Sequence, residues 1–122
     1  MNIPDNATPD TILLRGEKIE VYSCELPHLQ LEFYPENPRI YSAIREDDND
    51  NPSQDDIFRA LAKAEHVRDT LVPSIKHNGG LIEPILVRGK VVLEGNSRLA
   101  AYRLLSQSEP EKWKFIRATV LP

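Results

Sequence analysis

Apolar residues recur along this chain at two different periods, and the changes of period mark its elements. The segment TILLRGEKIEVYSCEL, from Thr11 to Leu26, reads as one or two strands with a turn near Arg15-Gly16. Further on, Ile57, Ala60, Leu61, Ala64, Val67 and Leu71 follow helical spacing. Ser53 precedes them with Asp56 three residues later, the arrangement of a capping box. Pro73 interrupts this pattern and predicts a helix break or kink there. A short helix then ends at HNGG, where Asn78-Gly79 supplies a C-terminal stop. EPILVRGKVVLEG is the clearest hairpin, with Gly89-Lys90 suited to a two-residue II′ turn between Ile85–Arg88 and Val91–Glu94. A helix is expected from about Ser97 to Ser106, and WKFIRATVL closes with a strand.

Between these elements lie two irregular stretches. FYPENPRIY is held extended by Pro35 and Pro38. Residues 45–56, REDDNDNPSQDD, form an acidic, Asn-rich loop. Residues 1–10 are polar with two prolines and are expected to be a flexible N-terminus. Residues 11–122 are expected to form one domain. Strands and helices alternate with hairpins, so the expected class is α+β, a small mixed β-sheet with packed helices.

Composition narrows the function. The 122 residues, 40% hydrophobic and 28% charged, suffice for one self-supporting core. The single cysteine, Cys24, excludes an internal disulfide and a cysteine-based zinc site, and suits a cytoplasmic location. No apolar run reaches the ~18–20 residues of a membrane span. The start, MNIPDNATPD, lacks the basic and apolar regions of a signal peptide. The net charge of −4 argues against the chain gripping DNA by itself.

The chemistry concentrates where an apolar strand feeds a helix through Glu94-Gly95-Asn96-Ser97-Arg98. Gly95 can adopt backbone angles closed to other residues and lets a ligand approach the main chain. The residues after it open a helix, whose first N–H groups have no internal partners and form a ready anion site. Arg98 shares a helical stripe with Ala101, Leu104 and Leu105, and an inward-facing arginine needs a partner. A phosphate would serve; so would Glu94 or another carboxylate.

Taken together, ENPRIY and SIKHNGGLIEPILVRGKVVLEGNSRLAAYRLL resemble the N-terminal domain of the ParB family, within the ParB/sulfiredoxin superfamily. The likeness runs from about Leu31 to Leu105, with the acidic loop and the Ile57 helix as an insertion. It rests on the proline-rich NPR, a G-x-x-x-P-x-x-V strand start at Gly80, Pro84 and Val87, and G-x-x-R-x-x-A at Gly95, Arg98 and Ala101. The resemblance implies a nucleotide pocket for CTP or ATP. Gly95, Asn96, Ser97 and Arg98 would cradle the phosphates, Gly80, Leu81 and Pro84 would lie near the base, and Arg39 would line the site. With nucleotide bound, Glu94 could hold Mg²⁺. The expected function is a nucleotide-binding regulatory domain of a DNA-linked protein, gating a partner or a homodimer contact. The helix-turn-helix that follows this domain in ParB proteins is expected in a missing part of a longer protein, so DNA would be a partner only indirectly.

Departures from the family pattern set the alternatives. ParB proteins usually carry GERR where this chain has GNSR. Sulfiredoxins carry GCHR, so Asn96 stands at the position of the reactive cysteine, and sulfinic acid reductase activity is not expected. An NTP-dependent kinase or hydrolase, or a weak NTPase, would use Glu94 or Glu36 as its acid–base group. An interaction domain with a degenerate pocket is the third reading. Asp47, Asn49 and Asn51 match the opening of a calcium loop, but Pro52 and Phe58 occupy its glycine and bidentate-acid positions, so that reading is rejected. His28, His66 and His77 have no metal-ligand spacing. Trp113 and Phe115 read as core packing, and Cys24 as a small, largely buried apolar residue.

Overall fold

The computed structural model describes residues 4–36 and 52–122. Strand β1, Thr8–Leu14, turns through Arg15 and Gly16 into β2, Glu17–Pro27. Both turn residues have positive φ, at 51° and 80°, the pattern of a type I′ hairpin. A short 3₁₀ turn, His28–Gln30, leads to β3, Glu32–Phe33. After α1, Gln54–Lys63, a π-helical segment, His66–Leu71, runs into α2, Val72–Asn78. The hairpin of β4, Ile85–Arg88, and β5, Val91–Glu94, has the expected bounds. Only Gly89 of its turn has positive φ, at 61°, as a II′ turn requires. Helix α3, Asn96–Ser108, and β6, Phe115–Leu121, complete the chain.

The six strands form one mixed sheet in the order β1-β2-β6-β4-β5-β3. The pairs β4/β6 and β5/β3 are parallel, and the other three are antiparallel. The class is therefore α+β, as the alternating pattern implies. β5 carries one extra residue against β4: Leu86 pairs with Glu94 and Val87 with Val92. This bulge lies immediately before the strand–helix junction, where it adds local twist.

Helix α3 is the centre of the packing. Leu99, Ala100, Ala101, Tyr102 and Leu105 are buried in it, and the two alanines leave room for close neighbours. They join Phe33, Ile85, Val87, Val92, Ile116 and Ala118 from the sheet and Ile57, Leu61, Val67 and Ile75 from the helical layer.

The structure corrects four expectations. The helical spacing from Ile57 to Leu71 does not make one helix ending at Pro73. α1 stops at Lys63, and Ala64 is extended at ψ 131°. Pro73 lies in the first turn of α2, where the π-helical segment supplies i→i−5 bonding: Val72 N–H donates to the Val67 carbonyl. The wider turn admits a proline, which has no N–H to give. Second, β1 begins at Thr8, so residues 8–10, expected to be flexible, pair with Ser23, Tyr22 and Val21. Third, Trp113 is buried, but Phe115 is 48% exposed because alternation along β6 turns Ile116 and Ala118 inward instead. Fourth, Cys24 is only partly buried. The capping box at α1 is present in both directions, Asp56 N–H to Ser53 Oγ at 3.1 Å and Ser53 N–H to Asp56 Oδ2 at 3.0 Å. The part of the acidic loop before Pro52, with Asp47, Asn49 and Asn51, lies outside the described residues.

Candidate functional site

The strand–helix junction is formed by a glycine in the left-handed region. Gly95 has φ 101° and ψ 25° at the N-cap of α3. A Cβ built there would stand 2.5 Å from Ile85 Cγ2 and 3.0 Å from Arg98 Nη2. Glycine is thus required by packing against β4 as well as by backbone angle. The expectation from sequence rested on ligand approach alone and did not include this packing.

α3 begins with no side-chain cap and no acidic residue in its first turn. α1, in the same chain, has a complete capping box and two aspartates there. The first-turn N–H groups of α3 therefore keep their partial positive charge unanswered by side chains.

Arg98 does not take the carboxylate partner expected as one alternative from sequence. Its Nη1 donates to the carbonyls of Glu83 at 2.7 Å and Pro84 at 3.3 Å. It makes no ion pair with Glu94 or any other carboxylate among the described residues. Nη2 lies against Gly95 and has no hydrogen bond among the described residues. The guanidinium is thus held by neutral oxygens on one side, with no carboxylate against it among the described residues and one nitrogen turned to the helix start.

Asn96 is 4% exposed and does structural work. Its Oδ1 accepts the Tyr34 N–H at 3.0 Å, and its Nδ2 donates to the Val92 carbonyl at 2.9 Å. Its second amide N–H and second oxygen lone pair are buried with it. Ser97 is half-buried beside it and makes no side-chain hydrogen bond among the described residues. Glu94 is exposed at the end of β5. Glu36 is exposed and accepts the Tyr34 hydroxyl at 3.2 Å, which holds the phenol above its ordinary pKa. Arg39 lies outside the described residues.

The remaining expected residues separate into two groups. Pro84 joins Gly95 and Arg98 at the helix start, through its carbonyl. Gly80 and Leu81 instead line a cleft further along α3, beside Tyr102 and Trp113. Among the described residues no group of three His, Cys, Asp or Glu side chains could hold a metal ion, so Glu94 would need water or phosphate oxygens to complete a Mg²⁺ site.

No family model, curated protein or solved structure matches the chain.

Sequence reasoning missed three residues that shape this region. Tyr34 is anchored to Asn96 through its main-chain N–H. Arg103 donates to the Leu31 carbonyl at 2.6 Å and lies 4.7 Å over the Phe33 ring. Burial lowers the Arg103 pKa, which Asp55 partly offsets. His28 is 1% exposed, with Nδ1 unpartnered among the described residues. Burial, and then the Arg103 charge, bring its pKa down to about 4. Each is an isolated polar residue beside an apolar run, and no sequence spacing distinguishes it from a surface residue.

Proposed function

We propose that the chain is a nucleotide-binding regulatory domain of a ParB-like, DNA-linked protein, with the phosphates of a CTP- or ATP-type ligand at the start of α3. The observation that carries this reading is the pairing of a helix N-terminus without a side-chain cap with the Nη2 of Arg98, which has no partner among the described residues, beside Gly95. An anion there meets main-chain N–H groups and a guanidinium from the same turn. The motif likeness at Gly95, Arg98 and Ala101 supports it independently. Asn96 contributes by position, fixing Tyr34 next to the helix start. A cytoplasmic protein with one free cysteine fits this reading. Bound nucleotide would order the neighbouring chain and gate a homodimer or partner contact, with DNA engaged through another domain.

Calorimetric titration with the four ribonucleotides, with and without Mg²⁺, tests the proposal. Arg98→Ala removes a charge-assisted contact worth about 1.5–3 kcal/mol, a roughly tenfold to hundredfold loss of affinity. Absence of binding by every nucleotide at millimolar concentration rejects the reading. Release of inorganic phosphate on prolonged incubation, abolished by Glu94→Gln, would move it to an NTP-dependent enzyme.

A further inference from the structure

The helical layer carries a concave surface of its own, where α1, the π-helical segment and α3 meet. It is an open groove of about 540 Å³. Phe58 and Ala62, four residues apart on α1, line it together with Leu104 of α3. All three are half-buried, so part of their apolar surface meets solvent. Phe58 is stacked on Phe33, with ring centroids 6.4 Å apart and planes 20° from parallel, which fixes this wall. Ala62, with only a methyl group, leaves a hollow beside it. Leu104 and Gln107 belong to the last two turns of α3, and no residue of the Gly95–Arg98 junction lines the groove.

The charge of the groove is one-sided. Arg59, Lys63 and Arg68 line it, and no carboxylate does. Arg59 pairs with Asp56 at 2.8 Å, while Lys63 and Arg68 make no ion pair among the described residues. Glu65 and Asp69, the acids nearest them in sequence, do not line the groove. This positive surface belongs to a chain whose net charge is −4. Shape and charge together select the occupant. Neighbouring helices present ridges of side chains with a trough between them, and a third helix fills such a trough with apolar residues at i, i+3, i+4 and i+7. A symmetric contact with a second copy would set these cations against their own counterparts. A nucleic acid duplex would offer phosphates to the cations and nothing to Phe58, Ala62 and Leu104. A bilayer is flat and does not reach a recessed floor.

We propose that this groove docks an acidic amphipathic helix of a partner protein. The apolar ridge of that helix seats on Ala62, between Phe58 and Leu104. Its flanking carboxylates face Lys63 and Arg68, the two lining cations without an ion pair among the described residues. The apolar floor supplies affinity, and the charges supply selection among partners. The groove and the α3 start share no lining residue, so this reading stands or falls independently of the nucleotide reading.

The test is a titration of the intact ¹⁵N-labelled chain with the amphipathic peptide acetyl-(Glu-Leu-Leu-Glu-Glu-Ala-Leu)₂-amide to ~1 mM, which half-saturates a site with Kd near 1 mM. The expected result is a shift of the Phe58, Ala62, Lys63, Leu104 and Gln107 amides. The same peptide with every Glu replaced by Lys should leave them unmoved. Reversing two exposed charges, Lys63→Glu with Arg68→Glu, should weaken the acidic peptide roughly tenfold while the amide spectrum stays that of a folded chain. Unmoved groove amides, an equal response to the basic peptide, or indifference to the charge reversal would each overturn the proposal. So would larger shifts of the same amides with a short DNA duplex or with anionic lipid vesicles, since the groove would then serve phosphates or a membrane. Shifts of these amides on raising the concentration of the chain alone would assign the groove to a second copy and overturn it too. Failure of ATP and CTP to move the Ser97 and Arg98 amides would reject the nucleotide reading and leave the groove result as it stands.

Discussion

Asn96 Oδ1 accepts the main-chain N–H of Tyr34 at 3.0 Å, joining two residues 62 positions apart in sequence. The same side chain donates to the Val92 carbonyl at 2.9 Å. One buried amide thus ties the stretch after β3 to the end of β5 and to the first turn of α3. Asn96→Ala leaves both backbone groups without that partner. Each orphaned buried group costs about 1–3 kcal/mol. Chemical denaturation should show a loss of about 2–4 kcal/mol for the variant. Asn96→Asp keeps the acceptor for Tyr34 but sets a carboxylate against the Val92 carbonyl, and should be no milder. A melting curve for either variant matching that of the unchanged chain would remove the amide from this structural role.

Gly95 illustrates how the junction is built. Its φ of 101° disfavours every L side chain, and an added Cβ would stand 2.5 Å from Ile85 Cγ2. Gly95→Ala should cost about 2 kcal/mol or more, from backbone strain and overpacking together. The two sources separate in a double-mutant cycle. In an Ile85→Ala background the 2.5 Å contact with Cγ2 is gone, while the 3.0 Å approaches to the residue-85 Cβ and Arg98 Nη2 and the backbone strain remain, so Gly95→Ala should cost measurably less there. An equal cost in both backgrounds would assign the requirement to the backbone angle alone. Any loss of nucleotide binding in Gly95 variants is then to be read beside their stability.

The elements that sequence reasoning located are those governed by local chemistry. Gly89-Lys90, Arg15-Gly16, Ser53 with Asp56, and Asn78-Gly79 each determine a turn or helix end within a few residues, and each turn or cap is found there. The break at Ala64 was not legible, because its apolar spacing is the same on both sides and the π-helical turn that accommodates Pro73 depends on packing against α3. At the candidate site, the positions of Gly95 and Arg98 at the start of a helix were legible in the sequence. Their partners were not, because the Glu83 and Pro84 carbonyls belong to the main chain, which every sequence supplies equally. The structural role of Asn96 was missed for the same reason: its long-range acceptor bond with Tyr34 leaves no periodic trace.

His28 gives the fold a pH dependence of defined sign. Burial and then Arg103 lower its pKa from 6.5 to about 4. In the unfolded chain the imidazole protonates near pH 6.5, while in the folded chain it stays neutral until about pH 4. The unfolded state therefore binds more protons in that window, and stability falls as pH drops through it. The contribution is complete above about pH 6.5 and declines by up to about 1.4 kcal/mol per pH unit below it. Urea denaturation at steps between pH 7 and pH 4 should show this slope. His28→Phe should flatten it relative to the unchanged chain. An identical slope in the variant would place the dependence on carboxylates instead.

Residues 81–84 form a loop whose four consecutive carbonyls all accept hydrogen bonds from arginines. Arg117 Nη1 reaches the Leu81 and Ile82 oxygens at 3.4 and 3.1 Å, and Arg98 Nη1 reaches those of Glu83 and Pro84 at 2.7 and 3.3 Å. The Leu81 main chain also acts on the Tyr102 hydroxyl, offsetting part of the rise that burial gives its pKa, so the loop meets the middle of α3 as well. Ile82 and Glu83 are exposed, so water can replace part of what either arginine supplies. Arg98→Ala and Arg117→Ala should each cost only about 1 kcal/mol in global stability. Their local effect is larger, because a four-residue loop restrained at both ends is freed only when both restraints go. Amide exchange at Leu81 should rise modestly in each single variant and sharply in the double variant. The double-mutant cycle should give a coupling of about 0.5 kcal/mol or more. Strict additivity, with Leu81 exchange unchanged in the double variant, would show that Tyr102 alone fixes the loop. In that case the charge of Arg98 would be held at the helix start by something other than the loop carbonyls, and its orientation toward Gly95 would need another cause.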